Sequence, residues 1–206
     1  DVPTADQLAE LQKRTGGADA LATPDYWDAA HVRDEPTVTR TFKLNSSSRE
    51  YKRVEDCFML TLWDKNWRIR IQSIERIQNV SLWQSYRVKR STICLREVEA
   101  KRSHDEKAAL SKYVRCWIFH GCPGDVASKV IQQGFNRSYT SNGKVYGKGV
   151  YFARDASYST FPLYCAPDAQ GVQTIFLVRA VVGQWSRGVK DALTPDVRDA
   201  RRNILY

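Results

Sequence analysis

Two short apolar segments, residues 117–121 and 147–153, constrain the fold of this chain more than any other feature. Each has the pattern of a short strand that carries a polar or aromatic side chain at its end. The first ends in His120 and Gly121, and the second contains Tyr151 among glycines and apolar residues. We therefore expect the strand ends to bring an imidazole, an aromatic ring and unobstructed glycine backbone groups to one site.

Ser159 and Tyr164 follow the second segment and add a hydroxyl group and another aromatic ring. This set of groups suits a flat, positively charged aromatic ligand joined to a sugar, because aromatic faces attract cations and the hydroxyl and backbone groups bind polar substituents. The nicotinamide end of NAD fits that description. No Gly-x-Gly-x-x-Gly motif follows a predicted strand, so NAD is not expected to bind in the Rossmann manner.

The composition is compatible with a packed core. The chain has 206 residues, of which 42% are hydrophobic, and this is enough for one large domain or for a small domain with an extension.

No apolar run approaches the roughly 20 residues that span a bilayer, so we expect no membrane partner. The first four residues lack the basic and apolar pattern of a secretory signal.

The five cysteines are odd in number, widely scattered and free of Cys-x-x-Cys pairs. This pattern argues against a zinc site and against a disulfide framework, so we expect no bound metal. Reduced thiols are typical of intracellular proteins, which predicts a location in the nucleus or the cytoplasm.

The formal net charge of +9 is the broadest indication of a partner. It fits a pyrophosphate cofactor or a nucleic acid, and equally an ordinary basic surface. A basic run lies on a predicted helix that opens with the capping-box pattern Ser81-Leu82-Trp83-Gln84 and continues towards Lys107. Such a run indicates either a solvated face or a surface for nucleic acid or an acidic partner, and both interpretations stay open.

Helices and strands are predicted to alternate irregularly along the chain. Ser48 is the predicted cap of a helix to about Leu62, and Pro123 and Gly134 mark the ends of another. Strands are predicted at 37–44, 67–77, 114–120, 149–153 and 174–182, with a short helix at 155–159 and a loop at 135–147. This order favours an α+β fold with antiparallel sheets, to which residues 1–25 add a peripheral arm.

Five motifs, taken in order, resemble the catalytic domain of the poly(ADP-ribose) polymerase (PARP) family. They are the run at 73–79 with Leu82-Trp83, the pair His120-Gly121, the runs at 134–138 and 146–153, and Ala156-Ser157-Tyr158-Ser159. A lone His-Gly pair carries little information, but five ordered motifs with compatible spacing are specific. The resemblance covers residues 26–206. It is nearest to the mono-ADP-ribosyltransferases that accompany macrodomains, because Tyr164 follows Ser159 by five residues.

The resemblance implies a diphtheria-toxin-like ADP-ribosyltransferase fold, in which two packed antiparallel sheets with flanking helices surround an NAD cleft. It implies that His120 and Tyr151 are catalytic, with His120 bonded to the adenosine ribose and Tyr151 forming one wall of the nicotinamide pocket. The backbone N–H and C=O of Gly121 hold the nicotinamide carboxamide in this family. Ser159 bonds the same carboxamide through its hydroxyl, and Tyr164 supplies the stacking face.

The implied activity is that of a pentosyltransferase, which transfers ADP-ribose from NAD+ to a protein acceptor in single units and releases nicotinamide. The loop at 135–147 matches the loop that covers NAD in the family, which places Arg137 near the adenosine or the phosphates. Two alternatives remain at this stage. One is a poly(ADP-ribose) polymerase with the same pocket, and the other is a catalytically inactive module that binds NAD or RNA.

The sequence departs from the resembled family in three places. The third catalytic residue of the family lies on a strand near the C-terminus of the domain, and no segment up to Tyr206 matches it, so we expect the domain to lack its C-terminal strand here. A glutamate at that position goes with polymer elongation, and an apolar residue goes with single transfers. The helical subdomain of DNA-break-dependent members is not recognisable, and Cys122 stands where relatives more often carry a small hydroxyl residue.

Overall fold

The computed structural model describes residues 22–63, 69–100, 102, 104–140, 145–201 and 204–205. The chain forms two compact units: the first unit takes in the chain up to Thr41 with Ile77–Val114, and the second unit takes in Phe42–Arg76 and Arg115–Tyr206. In chain order the elements are α1 (Ala29–Asp34), β1 (Arg40–Lys43), α2 (Arg49–Leu60), β2 (Glu75–Gln78), α3 (Val80–Glu99), α4 (Glu106–Tyr113), β3 (Val114–Cys122), α5 (Gly124–Gln133), a 3₁₀ turn (Arg137–Tyr139), α6 (Ala156–Ser159), β4 (Thr174–Val181), β5 (Val197–Asp199) and β6 (Ile204–Leu205).

The described strands pair two by two. Strand β1 pairs with β2, β3 with β4, and β5 with β6 in antiparallel register. One further antiparallel bridge joins Phe119 to Ala153. Helices and small sheets are mixed along the chain, and this confirms the predicted α+β class. Among the helices in the described ranges, none has the length and apolar character needed to cross a membrane.

In the first unit, helix α3 begins and ends differently from the prediction. Its N-cap is Asn79, whose side-chain oxygen accepts a hydrogen bond from the Leu82 amide at 3.0 Å, so Ser81 lies inside the first turn instead of capping it. The helix ends at Glu99, well before Lys107, and α4 follows as a separate helix. Near this end, the Arg102 guanidinium donates two hydrogen bonds, of 2.6 and 2.9 Å, to the buried carboxylate of Glu97.

The helix ends predicted in the second unit are confirmed. The Ser48 hydroxyl caps α2 and accepts a hydrogen bond from the Tyr51 amide at 3.1 Å. Helix α5 begins directly after Pro123 and is closed by Gly134, whose φ of 74° is readily adopted by glycine. Both of these ends depend on local interactions, so nearby residues were sufficient to predict them.

The core that supports the site lies in the second unit. Its buried members are Leu62, Phe119 and Ala156. Phe58 of α2 packs edge-on against Phe119 of β3, with ring centroids 6.1 Å apart. Strand β3 is therefore anchored by apolar packing just before the predicted histidine.

Three strand predictions were too long. Strand β1 covers only 40–43 of the predicted 37–44, and β2 covers only 75–78, while 69–74 are irregular and 64–68 lie outside the described residues. Residues 149–153 form no strand: two hydrogen bonds join Phe119 and Ala153, and the preceding chain turns at Gly147, whose φ is 92°. The carbonyl of Tyr151 is bonded to the side chain of His120 and the amide of Lys148 to the carbonyl of Ala192, and the bridge to β3 is confined to Ala153.

Candidate functional site

His120 stands near the end of β3, one residue after the bridge between Phe119 and Ala153. Its Nδ1 atom lies 2.7 Å from the carbonyl oxygen of Tyr151. A carbonyl only accepts hydrogen bonds, so Nδ1 carries the proton, and in the neutral tautomer with this arrangement Nε2 is the acceptor. The ring packs against Phe135 and Phe152, with centroids 5.0 and 5.5 Å away. These contacts fix the orientation of the imidazole.

Gly121 lies directly against the backbone of Ser159. A Cβ atom at position 121 would lie far inside the van der Waals contact distance of the Ser159 carbonyl oxygen and 2.8 Å from the Cβ of Cys165. Only glycine fits this approach without displacing its neighbours. Ser159 closes the one-turn helix α6 and is 4% exposed. The structure thus brings these two predicted residues together.

The hydroxyl of Tyr151 is fully engaged by the loop that precedes it. It donates to the carbonyl of Gly147 at 2.7 Å and accepts from the amide of Tyr146 at 3.0 Å. These two bonds hold the ring in place, and its side chain remains partly exposed. The ring face, rather than the hydroxyl, is therefore the part of Tyr151 that is available to a ligand.

Tyr164 stacks on Tyr158, a residue that was not predicted to belong to the site. The two rings are nearly parallel, at 17°, with centroids 4.8 Å apart, and the hydroxyl oxygens lie 3.0 Å from each other. The hydrogen bond to Tyr164 raises the pKa of Tyr158 above its ordinary value. The position of Tyr158 directly before Ser159 was the one feature of the sequence that could have indicated a place near the site. Its packing against Tyr164 could not be predicted from the sequence.

If the site binds NAD+ as the family resemblance implies, replacing Tyr158 by alanine should raise the KM for NAD+ in a nicotinamide-release assay by about 3- to 10-fold, because an aromatic pair contributes about 0.5–1.5 kcal/mol beyond its buried area. Tyr158→Phe keeps the stack and loses only the hydroxyl contact, so its KM should stay close to that of the wild type. An alanine variant with unchanged KM would show that Tyr164 does not depend on this stack.

Arg137 makes a hydrogen bond to Leu193, outside the contacts that join His120, Gly121 and Ser159. Its Nη2 atom donates to the carbonyl of Leu193 at 2.6 Å, and its side chain lines a cleft together with Tyr151 and the segment 182–196. His120, Gly121, Ser159 and Tyr164 do not line that cleft. Of the six predicted residues, the contacts on β3 and α6 gather His120, Tyr151, Gly121 and Ser159, while Tyr164 and Arg137 are positioned by other partners.

Two buried thiols lie beneath this group. The Sγ atom of Cys165 lies 3.3 Å from the carbonyl oxygen of Cys122 and 3.4 Å from that of Thr174, so its single S–H proton is shared between the two carbonyls. Burial raises the pKa of Cys122 from 9.0 to about 11. Within the described residues, no group of three or more histidine, cysteine or acidic side chains is placed to hold a metal ion.

The raised pKa of Cys122 predicts a loss of stability at high pH. Between pH 9 and about 11 the thiol of the unfolded chain releases its proton while the folded chain retains it, so the free energy of unfolding falls as pH rises through this window. We expect the free energy of unfolding of the wild type, measured by urea denaturation, to fall across this window by an amount of order 2 kcal/mol more than that of Cys122→Ala. Parallel slopes for the two proteins would contradict the assignment.

Comparison with known proteins identifies the family. The family model of the poly(ADP-ribose) polymerase catalytic domain matches residues 48–197, which is more than half of the chain. Protein mono-ADP-ribosyltransferase PARP12 of Homo sapiens is 34% identical over 184 residues, covering 89% of this chain and 23% of that protein. PARP14 of Homo sapiens, also named a protein mono-ADP-ribosyltransferase, is 35% identical over 154 residues, covering 74% of this chain and 8% of that protein.

A mouse relative carries the same kind of name. Protein mono-ADP-ribosyltransferase PARP10 of Mus musculus is 29% identical over 164 residues, covering 79% of this chain and 16% of that protein. The chain spans less than a quarter of the length of each of these relatives. On the family model and the identity to these relatives, and in agreement with the motifs around His120 and Gly121, the chain belongs to the poly(ADP-ribose) polymerase catalytic domain family.

Proposed function

We propose that this chain transfers single ADP-ribose units from NAD+ to a protein acceptor and releases nicotinamide. The observation that carries the proposal is the contact of Gly121 with Ser159 next to the bond between His120 and Tyr151. These two contacts join four of the residues that the family resemblance implies for NAD binding. Single transfer is supported by the names of the relatives, each of which is a mono-ADP-ribosyltransferase. The finer fold we propose is the diphtheria-toxin-like arrangement of two packed sheets.

The proposed nicotinamide site follows from the chemistry of the groups that Gly121, Ser159, Tyr151 and Tyr164 offer. A carboxamide offers one acceptor and two donor hydrogens, and the backbone N–H and C=O of Gly121 with the Ser159 hydroxyl complement both kinds of group. The nicotinamide ring of NAD+ is cationic, so the faces of Tyr151 and Tyr164 attract it by about 0.5–2 kcal/mol, depending on desolvation. The bonds that hold the Tyr151 hydroxyl keep its ring in position before the ligand arrives.

His120 is suited to bind a sugar hydroxyl. Because Nδ1 donates to Tyr151, Nε2 accepts, and a ribose hydroxyl is a donor that matches it. Arg137 stays in this proposal as a side chain for the adenosine ribose or the phosphates, although its present partner is Leu193. Guanidinium groups are well suited to phosphates because they donate two parallel hydrogen bonds.

Cleavage of the glycosidic bond moves positive charge from nicotinamide to the ribose. The aromatic walls bind the cation more strongly than the neutral product, so they hold the substrate but do not by themselves lower the barrier. The leaving group is neutral nicotinamide, and its departure needs no general acid. We assign the acceleration of glycosidic cleavage to orientation. Rigid binding of the carboxamide by Gly121 and of the ribose by His120 favours the oxocarbenium-like transition state.

Incubation of the purified chain with labelled NAD+ and a mixture of acceptor proteins tests the proposal, with products resolved on a denaturing gel. Discrete labelled bands are expected, and a high-molecular-weight smear would favour the polymerase alternative. Absence of both label and nicotinamide release would favour a binding module. The nucleic-acid partner suggested by the basic run on α3 stays a prediction, and binding of RNA that falls steeply with salt would support it.

A further inference from the structure

Trp117 of strand β3 has a backbone conformation that is rare for an aromatic residue. Its φ is 65°, in the left-handed region, where the Cβ of an L-residue crowds the following carbonyl oxygen. Among the residues that the structure describes, the other non-glycine residue with a positive φ is Asp191, a type that tolerates this region. Such conformations cluster at functional sites, and they persist only where the surrounding structure holds them.

Helix α2 supplies contacts that hold Trp117 in this conformation. The Arg53 guanidinium lies over the Trp117 ring, with Cζ 4.9 Å from the ring centroid, a distance at which a cation and an indole face attract each other. Five residues further along the same helix, Phe58 packs against Phe119. These two contacts bind β3 to α2 on both sides of Ile118, so the course of the strand is fixed around the left-handed residue.

The residues that follow Trp117 meet the segment that carries Tyr151. Phe119 exchanges two backbone hydrogen bonds with Ala153, of 2.7 and 2.9 Å, and the His120 imidazole bonds to the Tyr151 carbonyl. A left-handed residue within a strand bends the strand and changes the direction in which the next side chains point. The conformation of Trp117 therefore sets the angle at which β3 brings His120 to its partner.

We propose that Trp117 is a positioning residue for the reaction: its left-handed backbone, held by Arg53, directs β3 so that His120 meets both Tyr151 and the ribose of NAD+. Trp117 touches no substrate group in this account, and its effect passes through His120. The catalytic meaning of this role rests on the proposed function, whereas the orientation of the imidazole can be measured without any catalysis.

Two substitutions of similar size separate the backbone of Trp117 from its ring. Trp117→Asn and Trp117→Val both remove the ring, but asparagine tolerates the left-handed region and the β-branched valine does not. We expect kcat for nicotinamide release to fall about tenfold further in the valine variant than in the asparagine variant, with the KM for NAD+ changed much less. A purely structural role of the ring would lower the melting temperatures of both variants and leave their kcat values equal, and this result would overturn the proposal. Should the valine variant not fold, Trp117→Ala takes its place, because the alanine Cβ also disfavours the left-handed region.

The second measurement follows the His120 imidazole directly, by nitrogen-15 NMR at pH about 8.5, where an ordinary imidazole is neutral. The chain has three histidines, and His120→Ala identifies the signals of this one. In Trp117→Val the ring signals should move from those of an imidazole protonated at Nδ1 towards those of a solvated ring, with His31 and His104 unchanged. Unmoved His120 signals in the folded variant would overturn the proposal. Because this readout needs no NAD+, a wild type that releases no nicotinamide would refute the proposed function, and the NMR comparison would still decide the role of Trp117.

Arg53→Ala tests the contact that holds the ring. Lys52→Ala is its matched control, because it removes the neighbouring exposed cation of α2, whose ammonium group is bonded to Glu55 at 3.0 Å. We expect Arg53→Ala to lower kcat about threefold or more and to move the His120 signals in the same direction as Trp117→Val, while Lys52→Ala leaves kcat within about twofold. Equal kcat values and equal His120 signals in the two alanine variants would overturn the role assigned to Arg53.

Discussion

Replacing His120 by alanine is expected to lower nicotinamide release from NAD+ by about 10- to 100-fold. The substitution removes the Nε2 acceptor proposed for the ribose hydroxyl, and it also removes the 2.7 Å bond from Nδ1 to the Tyr151 carbonyl. A hydrogen bond lost in a site that water cannot easily repair costs about 1–3 kcal/mol, which corresponds to this range of rates. Nicotinamide release at saturating and at limiting NAD+ measures the effect on kcat and KM.

Two conservative variants separate the roles of the imidazole nitrogens. Asparagine at position 120 offers an N–H near the place of Nδ1 but no acceptor at Nε2, and glutamine offers the reverse. We expect His120→Asn to keep the melting temperature and lose activity, and His120→Gln to lose less activity. If His120→Asn retained wild-type activity, the imidazole would have only the structural role of holding Tyr151.

Gly121→Ala is expected to abolish nicotinamide release and to lower the melting temperature. The added methyl group collides with the Ser159 carbonyl oxygen and lies 2.8 Å from the Cβ of Cys165 and 3.2 Å from Cδ1 of Ile175. Overpacking of this kind costs about 1–3 kcal/mol, and each kcal/mol shifts the melting temperature of a chain of this size by about 2–4 °C. Any movement that relieves the collision separates the carboxamide-binding backbone from Ser159.

Gly124→Ala is the matched control for that substitution. It adds the same methyl group three residues later, in the first turn of α5, where no atom lies within 4 Å of the new Cβ. Alanine also favours the helix over glycine by up to about 1 kcal/mol. We expect unchanged activity and an equal or higher melting temperature. Equal behaviour of the two alanine variants would show that position 121 has no special steric requirement.

Local interactions made part of the fold predictable from the sequence. The Ser48 cap and the Gly134 stop depend on neighbouring residues, and both lie where the sequence placed them. The strand expected at 149–153 depended on pairing with a distant partner, and only Ala153 found one. Apolar alternation shows that a segment can pair, but it does not show how many of its residues find a partner strand.

The grouping of the candidate site residues was predictable where they form ordered motifs. His120, Gly121, Tyr151 and Ser159 come together through β3, the Ala153 bridge and α6, which are all close to those motifs in the chain. The stack of Tyr158 on Tyr164 was missed because an exposed tyrosine in a one-turn helix has no periodic pattern to indicate its partner. The cleft lined by Arg137, Tyr151 and residues 182–196, which include Trp185, was also missed. Residues 182–196 form no helix or strand, so no periodic pattern in the sequence indicates what they pack against.

The position of bound nicotinamide tests the central claim most directly. A crystal structure of the chain grown with saturating nicotinamide should show the carboxamide on the backbone of Gly121 and near the Ser159 hydroxyl, with the ring between Tyr151 and Tyr164. Nicotinamide bound only in the cleft beside Trp185, or absent from both places at saturating concentration, would contradict the account.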